Sequence, residues 1–289
     1  MSYPPLPPTV IEPIIRMALA EDFGTAGDVT ANLLVPEAAT ATLYFKSRDA
    51  GVLAGLQPAA MTFALIDSGV KFTPHVEDGA ALKKGTLIAT LKGPVRSLLM
   101  GERTALNFMG RLSGIATLTA KYAALTKGTK AKVAATRKTT PGLRALEKRA
   151  VLAGGGATHR GSLSDAIMIK DNHIALAGGI EAALKTIKAG ADHMCRVSVE
   201  VDRLEQLEAA LPFAPDVVLL DNMGPDMLRK AVAIADAFDG HRPVLEASGG
   251  VNLKTIAGIA KTGVDIISVG ALTHSAVNFD IGLDADRAR

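Results

Sequence analysis

The sequence has one cysteine, no tryptophan, few aromatics and nearly balanced charge. A single cysteine, Cys195, excludes an internal disulfide and every zinc or iron–sulfur spacing built on several thiolates. Because it lies in the apolar run Met194–Val201, it is expected as a buried thiol and not as a nucleophile. With 4% aromatic residues there is little material for base-stacking platforms, and a formal net charge of +3 is too small to imply nucleic acid on its own. The longest apolar runs are strand-sized, and the opening MSYPPLPP lacks the basic start and apolar core of a secretory signal. The expectation is therefore a cytoplasmic protein with no nucleic-acid partner and no membrane.

What is present is ordinary globular material. With 289 residues, 48% hydrophobic and 21% charged, the chain can bury a substantial core as one large or two smaller domains. Pro4 to Pro8 reads as a mobile lead-in, and apolar residues recur at helical spacing from Thr9 to Leu19. Between Thr40 and Leu99 the texture is strand-like, with Thr42–Lys46, Gly51–Leu56 and Thr86–Leu91 separated by turn signals such as Asp78-Gly79 and Lys84-Gly85. Residues 101–127 form a long helical stretch carrying Leu106, Met109, Leu112 and Ile115 on one stripe, and the domain boundary falls along it.

Beyond that helix the chain changes character. Apolar strand candidates begin near Val133, Ala166, Met194, Val217, Val244 and Ile266, with helices Gly179–Ala191, Arg203–Leu211, Pro225–Phe238 and Leu253–Lys261 between them. Apolar strands alternating with helices predict a parallel sheet covered on its outside, and this many repeats favour an α/β barrel of the TIM type. Six strands fall short of eight. Either the barrel is incomplete or a strand is hidden in the glycine-rich segment 152–162.

The last residue of each strand carries the functional signal. Ala134-Ala135 leads to Thr136-Arg137-Lys138, Ile167–Ile169 to Lys170, Val197–Val199 to Glu200, and Val217–Leu220 to Asp221. The later strands end as Glu246-Ala247-Ser248-Gly249-Gly250 and Val269-Gly270-Ala271. In a parallel barrel these ends share one mouth, where such enzymes carry their chemistry. Arg137, Lys138, Arg160 and Lys170, with His159 beside them, repel one another unless an anionic ligand or protein carboxylates offset their charge. That suits a small substrate bearing several negative charges. Ser248-Gly249-Gly250 before a helix at Leu253, and Gly270-Ala271, occupy the phosphate position usual in such barrels. Glu200 and Asp221 supply hard oxygen atoms that fit Mg²⁺ held jointly with substrate phosphates. Two other classes fit parts of this pattern: a Schiff-base aldolase using Lys170, and a non-catalytic anion-binding protein that would not need the Glu200–Asp221 pair.

Six segments together resemble one known family: ERTALNFMGRLSGIAT, ATRKTTPGLRALEKRAVLAGGGATHRGSLSDAIMIKDNH, VSVEVD, LLDNM, LEASGGVN and VGALTHS. They are similar to the quinolinate phosphoribosyltransferases, and the likeness runs from EDFGTAGDVT to the C-terminus. The resemblance implies an N-terminal α/β sandwich over residues 1–112, an incomplete TIM-like α/β barrel over 113–274, and a tail, 275–289, packing back on the first domain. It also implies phosphoribosyl transfer from 5-phosphoribosyl 1-pyrophosphate to quinolinate with loss of CO₂, giving nicotinate mononucleotide in NAD biosynthesis, with Mg²⁺ as cofactor. A related enzyme acting on nicotinate or another carboxylated ring is the alternative. The implied assembly is a homodimer, with a hexamer built as a trimer of dimers as the larger form, and Arg103 reaching in from the neighbouring subunit. By the same resemblance Thr136, Arg137, Lys138, His159, Arg160 and Lys170 match the substrate pocket. Lys138, Lys170, Glu200 and Asp221 match the catalytic group, with Glu200 and Asp221 near the metal. Ser248, Gly249, Gly250, Val269, Gly270 and Ala271 match the 5′-phosphate cradle. The family often has asparagine just before the His-Arg pair, where this chain has Thr158.

Overall fold

A computed structural model describes residues 4–285. They form two compact units: the chain up to Ala120 with Thr139–Gly155 and the segment from Thr273, and Lys121–Lys138 with Gly156–Leu272. The chain opens with α1 (Pro8–Phe23) and α2 (Val29–Leu34), then β1 (Thr40–Ser47), β2 (Gly51–Val52) and α3 (Leu56–Ile66). Next come β3 (Lys71–Pro74), β4 (Ala81–Leu82), β5 (Leu87–Pro94) and α4 (Val95–Leu125). β6 (Lys132–Ala134), α5 (Arg144–Ala153), β7 (Ile167–Ile169), α6 (Asp171–Leu176), α7 (Ile180–Gly190), β8 (Val197–Val201) and α8 (Leu204–Ala210) follow. The remainder is β9 (Val217–Asp221), α9 (Pro225–Ala237), β10 (Val244–Ser248), α10 (Ile256–Ala260), β11 (Ile266–Ser268), α11 (Ala271–His274) and β12 (Ile281–Ala285).

In the first unit an antiparallel sheet of order β12-β1-β5-β3 carries the core on one face. The period-two pattern of β1 buries Leu43 and Phe45, and the Phe45 ring packs at a tilt against Phe63 of α3 and Phe72 of β3 at centroid separations of 6.2 Å. Ile11, Ile15 and Leu19, spaced by four, form the buried stripe of α1. Asp28 caps α2 by accepting the Ala31 N–H at 2.9 Å. The expected mobile lead-in is instead tied down: Leu6 N–H donates to Gln57 Oε1 at 2.9 Å, Gln57 Nε2 donates back to the Leu6 carbonyl at 2.7 Å, and Pro8 already begins α1. A proline at the first helical position costs no hydrogen bond, which is why the helix starts there. α4 is about 46 Å of helix and begins six residues earlier than the periodicity indicated. At Gly114 a Cβ would sit 2.0 Å from the Val277 carbonyl oxygen, so only glycine lets the returning chain pass on its way to β12. β12 then pairs antiparallel with β1 along Leu43 to Ser47.

The second unit holds six parallel strands in the order β6-β11-β10-β9-β8-β7. This is a TIM-like barrel left open, because β6 and β7 are edges and do not pair with each other. Segment 152–162 contributes one parallel bridge, Ala134 with Ala157, rather than a strand. The helices are shorter than their sequence patterns suggested, most of all α10, which starts at Ile256 and not at Leu253. Asn252 explains the delay: its Oδ1 accepts the Lys254 and Thr255 N–H groups and holds 252–255 as a turn. Likewise β8 starts at Val197, because Asp192 accepts the Met194 and Cys195 N–H groups in a turn; Met194 is exposed and Cys195 only half buried, not the buried thiol expected.

Strand register decides what each face of this sheet carries. Val133, Val199, Val218, Leu220, Leu245, Ala247 and Ile267 fall on one face, and all are buried. Paired residues share a face, so the other holds Met168, Ser198, Glu200, Leu219, Asp221, Glu246, Ser248 and Ser268. The strands look largely apolar in sequence, yet six of these eight inner-face residues are polar. At the opposite ends of the strands the polar groups are structural: Asp265 accepts from Lys130, Arg242 and the Leu245 N–H at 2.8–2.9 Å.

Candidate active site

The inner face ends in a layer of charge. Lys170 follows β7, two positions beyond Met168, and its Nζ lies 2.8 Å from Glu200 Oε2 on the neighbouring strand. Its backbone N–H donates to His173 Nδ1 at 3.0 Å, which closes the first turn of α6 and fixes where the lysine leaves the strand. Asp221 ends β9 directly opposite Ser248 of β10, and Asp221 Oδ2 accepts from Asn222 Nδ2 at 2.7 Å. Glu200 and Asp221 therefore lie on adjacent strands and one face. Among the described residues no cluster of three or more acidic, histidine or cysteine side chains could hold a metal ion. Two carboxylates of hard oxygen suit Mg²⁺ that takes most of its ligands from phosphate and water.

After Ser248 the chain turns through Gly249 and Gly250, both with positive φ, at +91° and +59°. Asn222, also left-handed at +55°, donates its N–H to the Ser248 carbonyl at 2.9 Å and joins the ends of β9 and β10. A Cβ on Gly249 would meet Asn222 Oδ1 at 2.1 Å and the Asn222 backbone nitrogen at 2.8 Å. Gly249→Ala is accordingly expected to cost of the order of 1–3 kcal/mol from backbone strain, with further loss from the clash. A thermal melt matching the parent, together with unchanged kinetics, would contradict this. The helix start expected at Leu253 does not form, so Ser248–Gly250 stands as a turn. Val269 is buried, and its N–H already donates to the Ala134 carbonyl. Gly270 follows, and Ala271 opens the four-residue α11.

Thr136, Arg137 and Lys138 continue from β6, where Thr136 Oγ1 accepts the Lys138 N–H at 3.0 Å. Segment 156–160 runs beside them, since Ala157 exchanges hydrogen bonds with Val133 and Ala135 at 2.7 and 2.9 Å. His159 lies two residues beyond that bridge, and its Nε2 approaches Glu246 Oε2 to 3.7 Å. Arg160 Nη1 donates to the Ala166 carbonyl at 2.9 Å, while Asp165 gathers the N–H groups of Gly161 and Ser162 into a tight turn. Burial and then the like charge of Arg137 push the Arg160 pKa below the ordinary guanidinium value, with Asp165 partly opposing. Like charge at this range is the kind of repulsion that a bound anion would relieve. Arg103 lies exposed on α4, in the first unit.

Glu246 falls within a strand end in the sequence and carries no role there. It sits in mid-strand on the inner face, two positions below Ser248 and thus about 7 Å deeper. The carboxyl is buried, Oε1 has no hydrogen-bond partner, and burial raises its pKa to about 7 against the opposing hydrogen bond from Ser268. An acidic residue in the middle of an apolar strand was the available signal.

An open six-stranded α/β barrel with charged residues gathered at its strand ends is the arrangement in which barrel enzymes carry their chemistry. Residues 28–113 match the family model "Quinolinate phosphoribosyl transferase, N-terminal domain", and 115–284 the corresponding C-terminal domain. The chain belongs to the quinolinate phosphoribosyltransferase family. It is 43% identical over 272 residues to the carboxylating nicotinate-nucleotide pyrophosphorylase of Mycobacterium leprae, covering 93% of this chain and 95% of that one. A probable carboxylating nicotinate-nucleotide pyrophosphorylase of Bacillus subtilis is 42% identical, over 95% of this chain and 93% of its own length. The solved structure of NadC from Streptococcus pyogenes superposes with a TM-score of 0.93 at 38% identity, over 98% of both chains.

Proposed function

We propose that this chain transfers the phosphoribosyl group of 5-phosphoribosyl 1-pyrophosphate to the ring nitrogen of quinolinate and releases pyrophosphate and CO₂, leaving nicotinate mononucleotide. The observation that carries the reading is that Arg137 lies near enough to lower the Arg160 pKa, while His159, next in the chain, reaches Glu246 on the inner face of the sheet whose strand ends bear Glu200 and Asp221. Cations stand where a dianion is to be held. Carboxylates stand where positive charge develops.

Arg137, Arg160 and His159 bind the two ring carboxylates, because planar guanidinium groups match carboxylate geometry. Lys138 and Lys170 face the departing pyrophosphate, and Thr136 fixes the turn between the two cations. Ser248–Gly250 and Val269–Ala271 receive the 5′-phosphate. Holding donor and acceptor in register can lower the barrier by roughly 7–11 kcal/mol. As the bond to pyrophosphate breaks, the ribose acquires oxocarbenium character; Glu200 offsets it from one side and Asp221 accepts from the ribose hydroxyls. Glu200 and Asp221, together with substrate oxygens or water, would hold Mg²⁺, which would supply charge neutralisation on the phosphates. The alkylated ring nitrogen is positive and accepts the electron pair left by CO₂, so the chemistry needs no further cofactor. The chain works as a homodimer in the cytoplasm, with Arg103 serving the neighbouring site. Among the described residues no helix is long and apolar enough to cross a membrane.

A Schiff base on Lys170 is disfavoured by its ion pair with Glu200 and its half-exposed side chain, because such lysines need a desolvated amine. Glu200→Ala is expected to lower kcat by about 10²-fold or more, as for removal of one electrostatic group, with smaller changes in KM. Unchanged turnover would remove Glu200 from the mechanism. The reading itself is tested by following pyrophosphate: release that depends on added quinolinate supports it, and release that ignores quinolinate overturns it.

A further inference from the structure

The buried carboxyl below the mouth has no part in the mechanism above, yet its surroundings are unlike those of a structural acid. Buried carboxylates that hold a fold together are paired through both oxygens. Glu147 in the first unit is of that kind, with Oε1 receiving Arg111 and Thr140 Oγ1 and Oε2 receiving the Thr140 N–H. Glu246 differs. Its Oε1 is buried without a partner, its Oε2 lies 3.7 Å from His159 Nε2, and Ser268 on the adjoining strand is its other polar neighbour. That spacing is within ion-pair range and longer than a direct hydrogen bond, so the contact orients the imidazole without locking it. His159 stands outside the regular elements, on segment 156–160, which meets β6 at the Ala134–Ala157 bridge. β10, by contrast, lies inside the sheet and is paired on both sides.

We propose that Glu246 is a positioning residue for quinolinate: from the rigid centre of the sheet it holds the His159 ring at the angle from which that ring contacts a substrate carboxylate. The inference rests on the reading of His159 as a quinolinate-binding residue. A second, outer partner that fixes a binding histidine is a general device, and its loss loosens the ligand rather than the fold. Since Glu246 Oε2 contacts His159 and the residue lies two positions, about 7 Å, below Ser248 of the phosphate turn, the donor sugar should not sense its removal.

The test uses the full chain with Mg²⁺, in four forms: the parent, Glu246→Gln, His159→Ala and the double variant. Glu246→Gln is expected to raise KM for quinolinate about tenfold, leave KM for 5-phosphoribosyl 1-pyrophosphate unchanged, and add nothing in the His159→Ala background. Glu246→Asp, which keeps a buried acid one methylene further back, should fall between parent and Gln and serves in its place if Gln does not fold. A quinolinate KM within about twofold of the parent in Glu246→Gln, or the same increase with and without His159, overturns the proposal alone. If His159→Ala itself leaves quinolinate KM unchanged, the reading of His159 falls and takes the proposal with it.

Discussion

Replacing Arg137 with alanine is expected to lower kcat/KM for quinolinate by about 2–5 kcal/mol, or roughly 30-fold to several-thousandfold, the cost of leaving one partner of a desolvated charge pair alone. Arg137 and Arg160 stand close enough for the first to depress the second's pKa. In the absence of ligand, therefore, loss of Arg137 relieves repulsion, and the melting temperature should hold or rise. With ligand the sign reverses, because a substrate carboxylate loses its guanidinium. Opposite effects on stability and on quinolinate use are the signature of a binding cation. Steady-state kinetics showing less than about threefold change in both parameters would remove Arg137 from the pocket.

Glu147 gives the largest effect expected on stability. Its carboxyl is fully buried in α5 and accepts from Arg111 Nε and Nη2 at 3.1 and 2.8 Å, from Thr140 Oγ1 at 2.7 Å and from the Thr140 N–H at 3.1 Å. Arg111 also donates to the Thr273 and Ala276 carbonyls, so one ion pair gathers α4, α5 and the segment leading to β12. Removing one side leaves a buried charge uncompensated, and Glu147→Ala is expected to destabilise the protein by about 3–5 kcal/mol. Denaturant unfolding would show this as a lower midpoint at similar slope. A midpoint equal to the parent's would mean that the guanidinium finds water or another acceptor.

Much of this architecture is legible in the sequence. Six apolar runs separated by helical patterns give six strands, and the residue ending each run identifies Lys170, Glu200 and Asp221 as rim groups. The register was not readable. It depends on pairing between strands far apart in sequence, and it is register that sets Ser198, Glu200, Glu246 and Ser248 on one face. Glu246 is not legible for that reason, since VLEAS reads equally well with its acid at the rim or in the interior. Local turn chemistry produces the other differences: Asn252 delays α10, Asp192 Oδ1 takes Met194 out of β8, and Gln57 pins Leu6. Each is a side chain competing with backbone hydrogen bonding, which hydrophobic periodicity does not register.

The most direct measurement supplies the purified protein with 5-phosphoribosyl 1-pyrophosphate, Mg²⁺ and quinolinate labelled in its C2 carboxyl, with nicotinate in a parallel tube. Nicotinate mononucleotide and an equal amount of labelled CO₂ from quinolinate, with no product from nicotinate, is the predicted result. Product from nicotinate alone would keep the fold and the sugar donor but contradict a pocket built for two carboxylates.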